Sequence, residues 1–364
     1  MSTSEFDSYR PPEPEGGRRR RKGRRRAGPS RGGGDGSREM PVVPDAAFGS
    51  YYGRPVVKAP PWETDVAAYL FLGGLAAGSG LLAAGAQLTG REALRRSGRL
   101  AAITAAGLGA GALVRDLGRP ERFLNMLRTV KLTSPMSVGS WILAGFSTCA
   151  GVAAADEVDR ATGSRLPLGR LRGLLRGAGS AAGLGAGALA PPLAAYTAVL
   201  LSDTAVPTWN EAREELPFVF VSSASLAAGG LAMITTPVAQ AGPARVLAVV
   251  GAAGELLSAE LLERRMDETV VETLHQGRPG TYLRVSKALA AAGGLGALLA
   301  GRWRTAGVLS GTALLVSSAL TRLGYFEAGL ASAKDPKYTV EPQKRRLAER
   351  RRRGITDDSI TTGP

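Results

Sequence analysis

Long stretches without a charged residue are the feature that most limits what this chain can fold into. A helix that crosses a bilayer needs about 20 mostly apolar residues, whereas a soluble helix carries a polar face every turn or two. Four uncharged stretches are long enough to cross: residues 66–90, 132–155, 177–202 and 216–244. Three shorter stretches are also uncharged: residues 100–114, 288–301 and 305–321. The pattern predicts an all-α, polytopic membrane protein.

An eighth segment, residues 246–262, is interrupted by Glu255 and Glu260. Without a helix there, the chain from residue 243 to residue 282 would have no plausible structure, so we predict about eight transmembrane helices. The sequence Leu-Ala-Ala-Gly occurs at residues 75–78 and again at 226–229, in the first and fifth helices. This repeat suits two four-helix bundles in tandem.

The ends of the chain differ from this middle part. Most of the net charge of +15 lies in residues 1–60 and 331–364, which we interpret as basic tails around a membrane domain at 61–330. Residues 18–26 form a run of arginines with one lysine and predict a disordered arm. Attraction to anionic lipid headgroups, about 1 kcal/mol per basic residue, explains this arm better than nucleic-acid binding does.

The chain has one histidine, His275, and one cysteine, Cys149. Zinc sites, iron–sulfur clusters and haems are held mainly by these two residue types, and each site needs several ligands or its own axial ligand. The composition therefore excludes a zinc site, an iron–sulfur cluster and a di-haem centre built by this chain alone, and we predict no metal site.

Polar residues gather where alternate helix ends meet on one side of the membrane. The start of the first helix shares that side with the end of the second, the start of the third, the end of the fourth and the start of the fifth. The candidates there are Asp65, Tyr69, Asp116, Arg119, Glu121, Arg122, Ser134, Trp141, Tyr196 and Trp209. Residues 91–99 and 160–176, on the other side, are interpreted as plain basic loops. The short loops on the two sides of the membrane contain nearly equal numbers of lysines and arginines, so these numbers leave open which side faces the cytoplasm.

Glu255 and Glu260 lie at membrane depth, where ionisable residues are costly and mark functional sites. Five residues apart on a helix, they point to different neighbours. Glu255 is a candidate for a proton route, and the alternative is that it pairs with an arginine or a backbone group of a neighbouring helix.

Several segments resemble the NrfD/PsrC family of membrane anchor subunits of molybdoenzymes. Tyr-Leu-Phe-Leu-Gly-Gly-Leu-Ala-Ala-Gly at 69–78 resembles the family's first helix, and Asp-Leu-Gly-Arg-Pro-Glu-Arg-Phe at 116–123 resembles the end of its second. Ser-Pro-Met-Ser at 134–137 and Gly-Ser-Trp at 139–141 follow at the family's separation. The region around 196–202, with Trp209 and Pro217, looks like the fourth-to-fifth helix region. The likeness spans about 60–330.

The resemblance implies a haem-free subunit of the cell's inner, cytoplasmic membrane that reacts with menaquinone or ubiquinone. It also implies two partners, a ferredoxin-like iron–sulfur subunit and a molybdopterin-dependent catalytic subunit, that exchange electrons with it. On this interpretation Asp65, Tyr69 and Tyr196 bind the quinone, and Asp116 exchanges the proton. Loop organisation and partner docking fall to Arg119, Glu121, Arg122, Ser134, Trp141 and Trp209.

The alternative is a membrane protein without redox chemistry, either a small-solute transporter or a purely structural anchor. Pro191 and Pro192 in the fourth helix favour a transporter, because transporters often contain broken helices near the midplane. The position of the polar residues at one interface, and not at the midplane, argues against it.

Overall fold

The computed structural model of the protein describes residues 55–117, 120–164, 167 and 169–354, without the side chains of residues 120, 122 and 124. Within these ranges the chain is helical and contains no strand. The first bundle comprises α1 (Thr64–Leu88), α2 (Glu92–Asp116), a 3₁₀ helix (Pro120–Arg128), α3 (Pro135–Ala161) and α4 (Leu171–Ser202). The short α5 (Pro207–Glu211) links it to α6 (Leu216–Thr235), α7 (Gly242–Arg265), α8 (Glu268–His275), α9 (Gly277–Leu299), α10 (Arg304–Lys334) and α11 (Lys337–Arg352).

Six of these helices are long and apolar enough to cross a membrane: α1, α2, α3, α4, α6 and α10. This confirms the predicted helical, multi-pass membrane protein. Helices α7 and α9, with 24 and 23 residues, cover the other two predicted segments but do not meet the same apolar criterion. The count of eight crossings therefore stays a prediction.

The long helices pack as two groups of four. Helices α1 to α4 contact one another in sequence, and α1 also contacts α4, while α6, α7, α9 and α10 repeat this arrangement. Helix α1 joins the groups by packing against α6, where a methyl group added at Gly78 would lie 2.6 Å from the Ala228 Cβ. Close helix approach of this kind depends on small residues. Gly78 and Ala228 belong to the two Leu-Ala-Ala-Gly repeats.

Several helix ends extend beyond the uncharged segments, whereas α6 ends at Thr235, short of the segment that runs to residue 244. Helix α2 begins at Glu92 and not near residue 100, α3 continues to Ala161, and α10 continues past residue 321 to Lys334. Some charged residues of the added turns are paired inside the protein, as Arg95 and Arg99 are with acidic residues of α3. The basic tail predicted from residue 331 includes the end of α10 and helix α11, while residues 355–364 and 1–54 lie outside the described residues.

The interpretation of residues 91–99 and 160–176 as plain basic loops is wrong. Arg99, only 4% exposed, lies within α2 and pairs with Asp156 at 3.1 Å and with Glu157 at 3.3 Å on α3. Asp159, also on α3, is fully buried and pairs with Arg176 of α4 at 3.3 Å. Arginines from neighbouring helices thus neutralise acidic residues, and the side chains form a buried ionic network.

Hydrogen bonds between helix ends define two faces. On the first face the Glu63 N–H, at the start of α1, donates to Asp116 at the end of α2, and Arg265 at the end of α7 pairs with Glu215 before α6. On the opposite face the Ala93 N–H donates to Gln240. We call the first the polar face; it also holds the start of α3 and the end of α4.

Candidate functional site

A groove of about 760 Å³ lies between α3 and α4 and ends at the polar face. Its walls are mostly apolar, and its outer end is polar and charged. The lining residues are Leu132, Thr133, Pro135, Val138, Ile142, Pro192, Ala195, Tyr196, Val199, Ser202, Asp203, Arg213 and Glu214. Apolar walls with a few polar groups at one end are typical of sites for amphipathic small molecules.

Tyr196 is the polar group in the wall of this groove. Its aromatic ring lies directly against Gly139 of α3, where even a methyl group would overlap the ring carbons. Among the described residues its hydroxyl has no hydrogen-bond partner, although the side chain is 9% exposed. A buried tyrosine usually finds such a partner, so this hydroxyl is free to bind a ligand in the groove.

The charged end of the groove comes from the segment that joins α4 to α6. Asp203 follows the last residue of α4, and Arg213 and Glu214 precede α6. Glu214 lies 3.3 Å from Arg265 at the end of α7. The groove therefore opens beside a surface with charges of both signs.

The loop before α3 is fixed by the Ser-Pro-Met-Ser element. Ser134 caps α3 by accepting a hydrogen bond from the Ser137 N–H, and the Ser137 hydroxyl donates to the Thr129 carbonyl oxygen at 3.0 Å. The Trp141 indole donates to the same carbonyl at 3.4 Å. These contacts hold Leu132 and Thr133 at the entrance of the groove.

A second polar cluster lies at the ends of α1 and α2. Asp65 receives two hydrogen bonds from the Arg115 guanidinium, at 2.7 and 2.9 Å. Within the part of the chain that the structure describes, Asp116 accepts only the long 3.4 Å bond from the Glu63 N–H. Arg115 therefore pairs across helices with Asp65, and not along its own helix with Asp116.

The predicted quinone residues do not converge on one cavity. Tyr69 is 3% exposed and packs against α2, where a methyl group at Gly109 would lie 3.5 Å from its ring. Neither Tyr69, Asp65 nor Asp116 lines the groove that contains Tyr196. The structure thus separates the candidates into an α1–α2 cluster and an α3–α4 groove.

Of the candidates for loop organisation and docking, Glu121 is exposed on the 3₁₀ helix. Arg119 lies outside the described residues, as does the side chain of Arg122. Trp209 is fully buried in α5: its indole donates to the Tyr325 carbonyl oxygen at 2.8 Å, and its ring stacks on Trp62 at 5.7 Å. It connects the interhelical segment to α10 from the inside.

A smaller cleft of about 370 Å³ lies beside the groove, at the junction of α5, α7 and α11. Burial raises the pKa of Glu211 in this cleft, although the Asp267 N–H, which donates to its carboxylate at 3.0 Å, acts in the opposite direction. Helix α11 closes over the cleft through ion pairs of Arg345 with Asp267 and of Arg346 with Glu211. Nothing in the sequence indicated this cleft, since its residues come from distant segments.

Sequence reasoning also missed Arg322, which is 1% exposed inside α10. The charge of Arg322 ended the predicted uncharged segment at residue 321, so the prediction left Arg322 outside the transmembrane helix. A charge with apolar residues on both sides was the available signal, because Leu323 and residues 328–331 continue the apolar pattern.

A family model described as polysulphide reductase, NrfD, matches residues 56–244. The match includes α1 to α6, the groove and the α1–α2 cluster, and it ends at the beginning of α7. A comparison with curated proteins found no match.

Proposed function

The chain belongs to the polysulphide reductase NrfD family, as the motifs in its first half indicated, and on that premise we propose that it exchanges electrons between membrane quinones and an iron–sulfur subunit. That subunit would connect it to a molybdopterin-dependent enzyme in the cytoplasmic membrane. A quinone carries two electrons and two protons and needs an apolar slot, hydrogen bonds to its carbonyl oxygens and access to a proton donor.

The free hydroxyl of Tyr196 in the α3–α4 groove is the observation that carries this proposal. The hydroxyl can donate to a quinone carbonyl, and the apolar side chains of Ile142, Pro192 and Val199 can contact a prenyl chain. Thr133, at the entrance, offers a second hydroxyl. The residues therefore fit an amphipathic molecule that enters from the lipid with its polar ring near the polar face.

Asp116 is the proposed proton-exchanging group. It lies at the polar face, outside the lining of the groove, and among the described residues it accepts one long hydrogen bond, from the Glu63 N–H. Arg115 holds both oxygens of Asp65, and we therefore assign Asp65 to holding α1 and α2 together and place the quinone ring in the groove.

Electron transfer requires a partner in this proposal. A chain with one histidine and one cysteine cannot supply ligands for clusters or haems of its own. The polar face, with charges of both signs around Arg213, Glu214 and Glu121, is where we propose that an iron–sulfur subunit docks.

Neither alternative interpretation gains support from α4. A transporter with a discontinuous helix was suggested by Pro191 and Pro192, yet α4 runs without interruption from Leu171 to Ser202. A purely structural anchor would leave the free Tyr196 hydroxyl without a role.

Titration of the purified full-length chain in nanodiscs with a short-chain menaquinone tests the proposal. We expect Tyr196→Phe to weaken binding up to about tenfold, because one hydrogen bond contributes about 0.5–1.5 kcal/mol. Tyr282→Phe serves as the matched control and should bind like wild type, because Tyr282 is a half-buried tyrosine of α9 that does not line the groove. Equal affinity in all three proteins, or no binding at all, would contradict the quinone site.

The electron-transfer part is tested on the complex extracted in mild detergent. We expect an iron–sulfur subunit to co-purify and Asp116→Asn to slow quinol oxidation. If the variant matches wild type in quinol oxidation, Asp116 is not the proton-exchanging group.

A further inference from the structure

The second bundle contains a buried carboxylate and a buried guanidinium. Glu255 of α7 is 3% exposed and Arg322 of α10 is 1% exposed. Glu255 follows Gly242 by 13 residues and precedes Arg265 by 10, which places it about 20 Å and about 15 Å from the two ends of its helix. Ionisable residues at this depth are costly and are kept for a function.

These two groups leave polar atoms unsatisfied. One Glu255 oxygen accepts from the Thr321 hydroxyl at 2.7 Å and from the Ser286 hydroxyl at 3.4 Å, while its Oε2 has no hydrogen-bond partner among the described residues. The Arg322 Nη2 donates to the Phe220 carbonyl oxygen at 2.6 Å, but its Nε and Nη1 have none either. Buried polar atoms without protein partners usually bind ordered water.

A line of polar side chains leads from this site to the polar face. Tyr325, 1% exposed, lies one helical turn beyond Thr321, whose hydroxyl donates to Glu255, so both side chains lie on the same side of α10. Glu263 is near the end of α7 and binds His275 at 3.2 Å on the polar face. The path thus passes from a half-exposed imidazole to a carboxylate, a phenol and the buried carboxylate.

Lys287 of α9 is the other charged group on this path, and it pairs with Glu263 at 2.6 Å. Helix α6 contributes no charge; it presents the Ser223 hydroxyl and the Phe220 ring, over which the Arg322 guanidinium lies at 3.6 Å. Helix α1 presents Gly74, whose missing side chain leaves room for the same guanidinium.

Toward the opposite face the helices are closely packed. A methyl group at Gly251 would overlap the α6 backbone at Leu226, and one at Gly293 would lie 2.7 Å from the Leu314 side chain. Ala248, Ala252 and Ala297 are also buried there. Among the described residues, these close contacts favour a polar path that leads to the polar face.

We propose that Glu255 is a proton-binding site at the membrane midplane that exchanges with the polar face through Tyr325 and Glu263. A proton leaves the Glu255 carboxyl for the Tyr325 oxygen, directly or through a bound water, while the Tyr325 hydroxyl proton passes to the Glu263 carboxylate. Glu263 then passes a proton to His275 or to bulk water. Arg322 supplies the positive charge that balances Glu255 after the proton has left. The proposal rests on the second bundle alone and does not require the quinone groove.

Infrared difference spectroscopy of the full-length chain in nanodiscs, cycled between acidic and alkaline buffer, tests the proposal. We expect a carboxylic C=O band that disappears in Glu255→Gln and persists in Glu260→Gln, the exposed residue on the same helix. After transfer into deuterated water we expect Tyr325→Phe and Glu263→Gln to slow the deuterium shift of this band at least tenfold.

Thr321→Val keeps the carboxyl and removes its hydrogen-bond donor, so it covers the case in which Glu255→Gln does not fold. The band should then move to higher frequency. A wild-type protein without a titrating carboxyl band, a band unchanged in Thr321→Val, or exchange as fast in Glu263→Gln as in wild type would each overturn the proposal. Because no quinone is added, failure here leaves the quinone site standing, and failure of the quinone site leaves this result unaffected.

Discussion

The absence of a side chain at position 139 shapes the proposed quinone site. The Tyr196 ring occupies space that any Cβ at this position would fill. We expect Gly139→Ala to displace the ring from the groove wall and to weaken menaquinone binding about tenfold, through loss of the Tyr196 hydrogen bond. Titration in nanodiscs measures the effect.

Gly151→Ala on the same helix is the control, because a methyl group there would make only an ordinary 3.8 Å contact with Ile103. Its affinity should equal that of wild type. An unchanged affinity in Gly139→Ala would mean that the position of the Tyr196 ring does not matter for binding.

Burial of Glu211 lowers the stability of the folded protein by an amount that depends on pH. Its pKa is raised in the folded protein, so this carboxyl contributes stability below its ordinary pKa and loses that contribution as the pH rises through the folded value. At neutral pH the buried carboxylate is therefore a cost. We expect Glu211→Gln to raise the melting temperature by about 2 °C at neutral pH. Thermal unfolding across a pH series measures it.

The difference in melting temperature between Glu211→Gln and wild type should disappear as the pH falls below roughly 4, where the Glu211 carboxyl is neutral in both the folded and the unfolded protein. Glu214→Gln, at a neighbouring exposed position, should show no rise at any pH. A gap that stays constant from neutral to acidic pH would show that the pKa of Glu211 is not raised.

At the scale of helices, Arg99 connects the four members of the first bundle. Its guanidinium, in α2, binds Gln87 of α1 at 2.6 Å, Asp156 of α3 at 3.1 Å and the Gly179 carbonyl of α4 at 3.1 Å. Removing one partner of a buried ion pair costs about 3–5 kcal/mol, and we expect that loss of stability for Arg99→Met. Unfolding in detergent monitored by circular dichroism measures it.

Arg264→Met provides the comparison. Arg264 forms an exposed ion pair with Glu260 one helical turn away, which contributes about 0.3–0.5 kcal/mol. Equal destabilisation by the two substitutions would rule out a special role for the buried network.

The same network shows why helix ends were harder to predict than helices. Each predicted segment overlaps a helix, but its limits were set by the first charged residue, although Arg99, Asp156 and Arg322 all lie inside helices. Their charges are tolerated because partners on other helices neutralise or solvate them, as Asp156 does for Arg99. Such pairs join residues that are far apart in the chain, so the sequence around a charged residue does not reveal its partner.

At the scale of the whole molecule, the sequence was sufficient for the helical membrane fold and for the family. The apolar segments and the Asp-Leu-Gly-Arg-Pro and Ser-Pro-Met-Ser motifs carry that information locally. The groove could not be predicted, because it depends on how α3 and α4 approach each other at Gly139 and Tyr196. Of the predicted quinone-binding residues only Tyr196 lines it, while Asp65 and Tyr69 lie on another helix pair.

The two Leu-Ala-Ala-Gly repeats lie at the contact between the two groups of helices. Gly78 and Ala228 meet where α1 of the first group packs against α6 of the second. The repeat thus places small residues on both sides of the contact that joins the two groups. The first group contains the proposed quinone groove, and the second contains the proposed proton site at Glu255.

Photolabelling of the complete complex with an azido-quinone, followed by mapping of the labelled peptides, shows directly whether quinone binds in the α3–α4 groove. We expect label on the segments that line the groove, residues 132–142 and 192–203, and its loss in the presence of excess unlabelled menaquinone. Label confined to α1 and α2, label in the second group of helices, or label that unlabelled menaquinone does not displace would contradict it.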